Sequence, residues 1–192
     1  MDKNTHELFE VTLSETRSHV LASTTNGIVV EMIERLGEID FGRIVKISET
    51  LVDNFGQNAR FNRNMIKKYF NYPETLPFVI RYNGEIEGFI IGVPLEYFDK
   101  ESWAQCDENL GKNNTIYTYA FIVRKEHRAL GLSKMLKRVY QNTLKRRGFL
   151  YITGHVMQGV TANFTRDYKI VRQFENWNNT GFTFDYYRSA LK

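Results

Sequence analysis

Tyr117-Thr118-Tyr119-Ala120-Phe121-Ile122-Val123, followed by Arg124-Lys125-Glu126-His127 and Arg128-Ala129-Leu130-Gly131-Leu132-Ser133, reads as a strand, a polar turn and the opening of a helix. Aromatic and β-branched residues fill the first segment, as a buried strand requires. Beyond it Leu132, Met135, Leu136, Val139, Tyr140 and Leu144 recur at helical spacing. Lys134, Lys137, Arg138, Lys145 and Arg146 take the opposite side. Gly148 stands where a helix end favours a left-handed residue, and basic residues in the last turn suit the dipole.

This layout suits anion capture. A loop entering a helix leaves backbone N–H groups unpaired at the positive end of the dipole, a natural seat for phosphate. Gly131 lets the backbone approach a ligand closely, and Arg128 adds charge. An ordinary strand-to-helix connection has the same outline, so spacing alone leaves both readings open.

Arg128-x-x-Gly131-x-Ser133, placed after a strand ending in Val123, resembles the acyl-CoA signature Arg/Gln-x-x-Gly-x-Gly/Ala of the GNAT acetyltransferase superfamily. Ser133 departs from the pattern by one small side chain. The resemblance extends over Ile28 to Phe182. It implies that the backbone of Phe121, Ile122 and Val123 meets the pantetheine of acetyl-CoA. It also implies that Arg128, Ala129, Leu130, Gly131, Leu132, Ser133 and Lys134 hold the pyrophosphate, and that Asn163 touches the CoA arm.

The resemblance further implies a base for the amine. Family members often carry Glu or His at the strand positions held here by Tyr117 and Tyr119, which share one face of the strand. A phenol is a poor base at neutral pH but can relay through water or act as an acid, and two strand tyrosines packed in a core would look the same. His155, at the end of the next strand, titrates nearest neutrality. Glu87, on the strand after a hairpin turn, is a fourth candidate. Trp177 stands where the family usually places a tyrosine acid, four residues before Gly181-Phe182.

Outside this core the chain of 192 residues is the length of one domain, with net charge +4 and pI near 9.1. That balance leaves nucleic acid open as a partner. Cys106 is the only cysteine, which excludes an internal disulfide and cysteine-based metal sites, and no metal is expected. With no signal peptide or long apolar run, a cytoplasmic location and no membrane partner are expected.

Taken in order, Ile28–Ile33 reads as the first core strand. Phe9, Val11 and Leu13, before the break at Ser23-Thr24-Thr25-Asn26-Gly27, fit either strand or helix. Asp40 is placed to cap a helix carrying Ile44, Ile47, Leu51 and Phe55 and stopped by Gly56. A second helix from about Asn58 carries Phe61, Met65, Ile66 and Tyr69. Asn83-Gly84 marks a hairpin between Phe78–Tyr82 and Ile86–Val93. Pro94–Asn114 is too long for a turn and, with Tyr97, Phe98 and Trp103 among many polar groups, reads as a lid or binding loop or as a solvated excursion. Phe149–Val156 is the next strand, Thr161 and Asn163 open a helix with Phe164, Tyr168, Val171, Phe174 and Trp177, and Phe182 starts the last strand.

The expectation is an α/β, GNAT-like mixed, mostly antiparallel sheet, splayed between its fourth and fifth strands, with helices on both faces. Residues 1–26 form an N-terminal arm and 27–192 the acyltransferase domain. The expected activity is acetyl transfer from acetyl-CoA to a primary amine on a small molecule or peptide. The rivals are a GNAT-fold transferase acting on nucleic acid or tRNA and a non-catalytic relative that binds CoA or a partner. The last helix leaves room for one strand where the family has two. The other is expected from the Phe9-Val11-Leu13 segment or from a partner subunit, which would make a homodimer.

Overall fold

The computed structural model describes residues 14–163 and 168–192. Among these residues eight strands form one sheet: β1 (Arg17–Ser23), β2 (Ile28–Arg35), β3 (Leu76–Tyr82), β4 (Glu85–Pro94), β5 (Thr115–Val123), β6 (Tyr151–Met157), β7 (Tyr168–Phe174) and β8 (Phe184–Ala190). Their order is β1-β2-β3-β4-β5-β6-β8-β7. Neighbours run antiparallel, except β5 and β6, which run parallel. The parallel pair is joined by the helix α4 (Leu132–Arg146), the crossover such a pair requires.

One face carries α1 (Glu38–Ser48), α2 (Val52–Phe55) and α3 (Arg63–Phe70). Ile44, Ile47, Ile66 and Phe70 from these helices pack on Val79, Phe89 and Ile91 of β3 and β4. On the other face Leu132, Leu136, Tyr140 and Leu144 of α4 cover Phe78, Ile80 and Ile116. The expected mixed sheet with helices on both faces is thus present. Asn83 and Gly84 both take positive φ, 50° and 86°, in the two-residue turn between β3 and β4.

Several elements differ from expectation. Asp40 lies in the first turn of α1 instead of capping it; Gly37 is the cap. The Asp40 carboxylate accepts from Thr16 Oγ1 at 2.7 Å and from Arg81 Nη2 at 2.7 Å, so it ties the residue before β1, and α1 itself, to β3. The second helix starts later, where the Asn62 side chain accepts from the Met65 N–H. Gln57–Ala59 is a single 3-10 turn.

The largest correction follows β6. No helix opens at Thr161 and Asn163: Val160–Asn163 is a 3-10 turn, and Tyr168–Phe174 is strand β7, paired with β8 from Tyr168↔Ser189 to Phe174↔Phe184. Tyr168, Val171 and Phe174 satisfy helical spacing, but the open edge of β8 offers this β-branched and aromatic segment a ladder of hydrogen bonds. β7 is therefore the second late strand, supplied in cis, and neither a partner nor the Phe9-Val11-Leu13 segment takes its place; that segment, like Phe164, lies outside the described residues. Of residues 1–26, Arg17–Ser23 forms the opposite edge strand.

Pro94–Asn114 is not a solvated excursion but a packed connection, as a binding loop would be. It holds two 3-10 turns, Leu95–Phe98 and Ala104–Cys106, and buries Leu95, Trp103 and Ala104 against Tyr117 and Tyr186. Buried Asp107 accepts from the Tyr186 hydroxyl at 2.9 Å and from Arg188 Nη1 at 2.7 Å, anchoring the connection to β8. No helix among the described residues is long and apolar enough to cross a membrane.

Candidate active site

The site begins where two strands part. β5 and β6 pair over Thr115↔Tyr151, Ile116↔Ile152 and Tyr117↔Thr153 only. Beyond Tyr117 the edge of β5 that faces β6 carries no ladder. On its other edge β5 stays bonded to β4 as far as Val123. There Ile91 pairs with Ala120 and Gly92 with Thr118, which makes Tyr119 the extra residue of a β-bulge. The bulge shifts the alternation. Tyr119, Ala120 and Ile122 all pack toward the helices α1 and α3, whereas Phe121 is 39% exposed.

A cleft of about 1480 Å³ runs through this split. At one end it is lined by Phe121 and by Lys134, Lys137, Arg138 and Gln141 of α4. At the other it is lined by Phe55, Met65, Tyr69, Phe98, Trp103 and Trp177. Tyr117, Tyr119 and His155 also line it.

The basic end has the geometry of an anion site. Gly131 caps α4 in the left-handed region, φ 70°, and no side chain bonds to the cap. The N–H groups of Leu132, Ser133 and Lys134 open the helix and have no acceptor one turn back within it. A Cβ built on Gly131 meets no atom within 4 Å, so the space beside the bend is open. The preceding residues, Arg128 and Ala129 among them, form the 3-10 turn Lys125–Leu130. An uncapped helix start, an open bend, lysines along the cleft and a free strand edge together fit a diphosphate with an amide-bearing arm.

Residues 44–164 match the model of the Acetyltransferase (GNAT) family. The chain belongs to the GNAT family. Three solved structures are similar in fold. They are the ribosomal-protein-S18-alanine N-acetyltransferase from Escherichia coli, with TM-score 0.61, 12% identity, 86% of this chain and 94% of that one covered; Ard1 from Thermoplasma volcanium, with 0.60, 12%, 85% and 97%; and an aminoglycoside 6'-N-acetyltransferase complexed with coenzyme A, with 0.59, 12%, 85% and 97%. At such identities the likeness is one of fold. Comparison with curated proteins gives no match.

Within this GNAT frame the candidate residues separate. Tyr117 and His155 come together: the Tyr117 hydroxyl lies 3.0 Å from His155 Nδ1. Burial raises the Tyr117 phenol above its ordinary value, so it holds its proton at neutral pH. Burial lowers His155 to about 3, so the imidazole is neutral. His155 is 8% exposed, stacked on Trp177 at 3.9 Å and edge-on to Trp103 at 5.1 Å. Its Nε2 is buried and has no hydrogen-bond partner among the described residues. Because the phenol is protonated and His155 Nδ1 is the acceptor within reach, we assign the hydroxyl as donor and the ring proton to Nε2.

Tyr119 stacks on Tyr69, with ring centroids 3.8 Å apart, and burial raises its phenol too. Glu87 is not brought to this pair. It is 3% exposed and is not among the described residues lining the cleft. Its carboxylate contacts Arg43 Nη2 and lies 3.5 Å from Arg124 Nη1, which makes it part of an ion cluster under the hairpin. Asn163 ends the Val160–Asn163 turn, not the start of a helix. Cys106 Sγ donates to the Trp103 carbonyl at 2.8 Å, and burial raises its thiol, which disfavours the nucleophilic thiolate.

Trp103, on the long connection for which a binding loop is one reading, does line the cleft. Tyr69 lines it too, and the sequence marks it only as part of a helix's apolar face, because it sits far from the signature in the chain. Trp177, in the place of a family tyrosine, covers the imidazole face.

Proposed function

We propose that this GNAT protein is an acyl-CoA-dependent N-acyltransferase that moves an acetyl group from acetyl-CoA to a primary amine. Residues 27–192 are the transferase domain, and the 1–26 arm adds an edge strand to its sheet. The observation that carries this reading is the cleft through the β5–β6 split, basic on one side and aromatic on the other, with the Tyr117–His155 pair among its rings.

Acetyl-CoA supplies an activated thioester carbonyl. The first turn of α4 and Lys134, Lys137 and Arg138 bind its phosphates. The free edge of β5, Phe121 to Val123, pairs with its amide-bearing arm. These contacts fix the thioester beside Tyr117 and convert a bimolecular encounter into a reaction between held groups. The acceptor enters from the aromatic end, where loss of water favours the neutral amine over the ammonium.

The amine nitrogen donates its lone pair to the thioester carbon. A C–N bond forms, the C–S bond breaks, and the electron pair leaves on sulfur. The proton that the attacking nitrogen loses reaches the sulfur by relay: the Tyr117 hydroxyl turns from His155 Nδ1 and gives its proton to sulfur as it takes up the nitrogen's, so the products are an amide and the CoA thiol. His155 is a positioning residue that fixes the direction of the hydroxyl.

The test is a thermal-shift titration. Acetyl-CoA is expected to raise the melting temperature, and Gly131→Glu to abolish the rise by placing a carboxylate at the bend. A wild-type protein whose melting temperature ignores saturating acetyl-CoA would overturn the reading.

A further inference from the structure

The two ends of the cleft differ in charge. Lys134, Lys137 and Arg138 line the donor end. Among the described lining residues of the acceptor end the carboxylate is Glu101 alone, and it is exposed, at the rim. Inside stand rings. Trp103 and Tyr117 are 4.7 Å apart, His155 and Trp177 stack at 3.9 Å, and Tyr69 and Tyr119 stack at 3.8 Å. The imidazole among them is uncharged.

We infer that the acceptor is an arylalkylamine, a primary amine on a short alkyl chain borne by an aromatic ring. The inference rests on the acyltransferase reading above and names its substrate class. A polyamine or an aminosugar carries several ammonium groups, each of which would lose hydration here, and among the described lining residues the only carboxylate to meet them is Glu101 at the rim. A single ammonium is attracted to the ring faces as it enters and gives up its proton as water is left behind. The aromatic part of the acceptor then fits edge-to-face or offset against Trp103, Tyr69 and Trp177, the arrangement the pocket rings already adopt with one another.

The reaction balances as above: the amine nitrogen gains the acetyl group, and one of its protons ends on the CoA sulfur. No oxidant, reductant or metal is consumed.

The experiment uses the full chain with acetyl-CoA and follows release of the CoA thiol. The acceptors are 2-phenylethylamine and tryptamine against spermidine, kanamycin and an alanine-terminated peptide. The expected kcat/KM is about 10-fold or more higher for the two aryl amines. Trp177→Ala, at the half-buried rim, is expected to raise KM for the aryl amine and leave KM for acetyl-CoA unchanged; Trp103→Phe repeats the test without opening a large cavity. Preference for spermidine, kanamycin or the peptide overturns the inference. So does a protein that binds acetyl-CoA yet neither acetylates the aryl amines nor gains further thermal shift from them. A protein that acetyl-CoA neither stabilises nor acetylates through fails one step earlier, at the acyltransferase reading itself.

Discussion

The Tyr117 hydroxyl and His155 Nδ1 lie 3.0 Å apart, bridging β5 and β6 just beyond their last paired residues, Tyr117 and Thr153. The bond joins the two sides of the cleft where the sheet opens. It also leaves one ring nitrogen, Nε2, buried and unpaired among the described residues. A buried polar atom without a partner is costly, and such atoms cluster where function requires them.

Tyr117→Phe removes the hydroxyl and leaves both imidazole nitrogens unpaired. Stability should fall by about 1–3 kcal/mol in urea unfolding. The turnover number should fall by about 100-fold while KM for acetyl-CoA holds. Unchanged turnover would remove Tyr117 from the chemistry.

His155 gives the protein an acid-sensitive fold. Its folded value, about 3, lies below the ordinary 6.5, so as pH falls through 6.5 the unfolded chain takes up a proton that the folded chain refuses. Stability is therefore full above pH 6.5 and is lost progressively from 6.5 toward 3. The loss from this residue should reach about 2 kcal/mol at pH 5, measured by denaturation against pH. His155→Gln should flatten the slope, and the turnover of wild type should show no inflection from this imidazole between pH 5 and 8.

Glu87→Gln is expected to act on stability and not on chemistry. The carboxylate sits between Arg43 and Arg124, and its removal leaves those charges short of a partner, at a cost of about 3 kcal/mol. Turnover measured well below the melting temperature should match wild type. A drop in turnover with stability intact would return Glu87 to the candidate base list.

Lys137→Ala and Arg138→Ala should each raise KM for acetyl-CoA by about threefold at low salt, because charges on the solvent side of the cleft contribute modestly and are screened. The wild-type KM should rise with ionic strength, and the double variant, with Lys134 left, should show a weaker dependence.

Deleting residues 1–26 removes β1 and frees the edge of β2. It also removes the Thr16 hydroxyl, which accepts from Gly37 N–H and donates to Asp40. The melting temperature should drop, by the equivalent of on the order of 3 kcal/mol, through lost hydrogen bonds and cross-strand pairs. An unchanged melting curve would show that the sheet does not need its first strand.

Much of this molecule is legible in local sequence, for stated reasons. Leu132, Leu136, Tyr140 and Leu144 repeat at helical spacing, and one helix follows. Asn83-Gly84 can adopt the positive φ angles of a two-residue turn, and the hairpin closes there. Gly131 meets the left-handed start of α4. Each of these is set by residues within one turn or one hairpin of each other. Tyr168–Phe174 is different, since its apolar residues satisfy helix and strand alike, and the edge of β8 decides between them.

Local sequence sets the strand, the bend at Gly131 and the helix α4, because backbone angles and periodicity are local properties. Which side chains meet at the aromatic end of the cleft depends on long-range packing. Tyr69, Trp103, Tyr117, His155 and Trp177 come from separate elements, and nothing local sets their distances. The burial that keeps His155 neutral and Tyr117 protonated exists only once those elements have packed together.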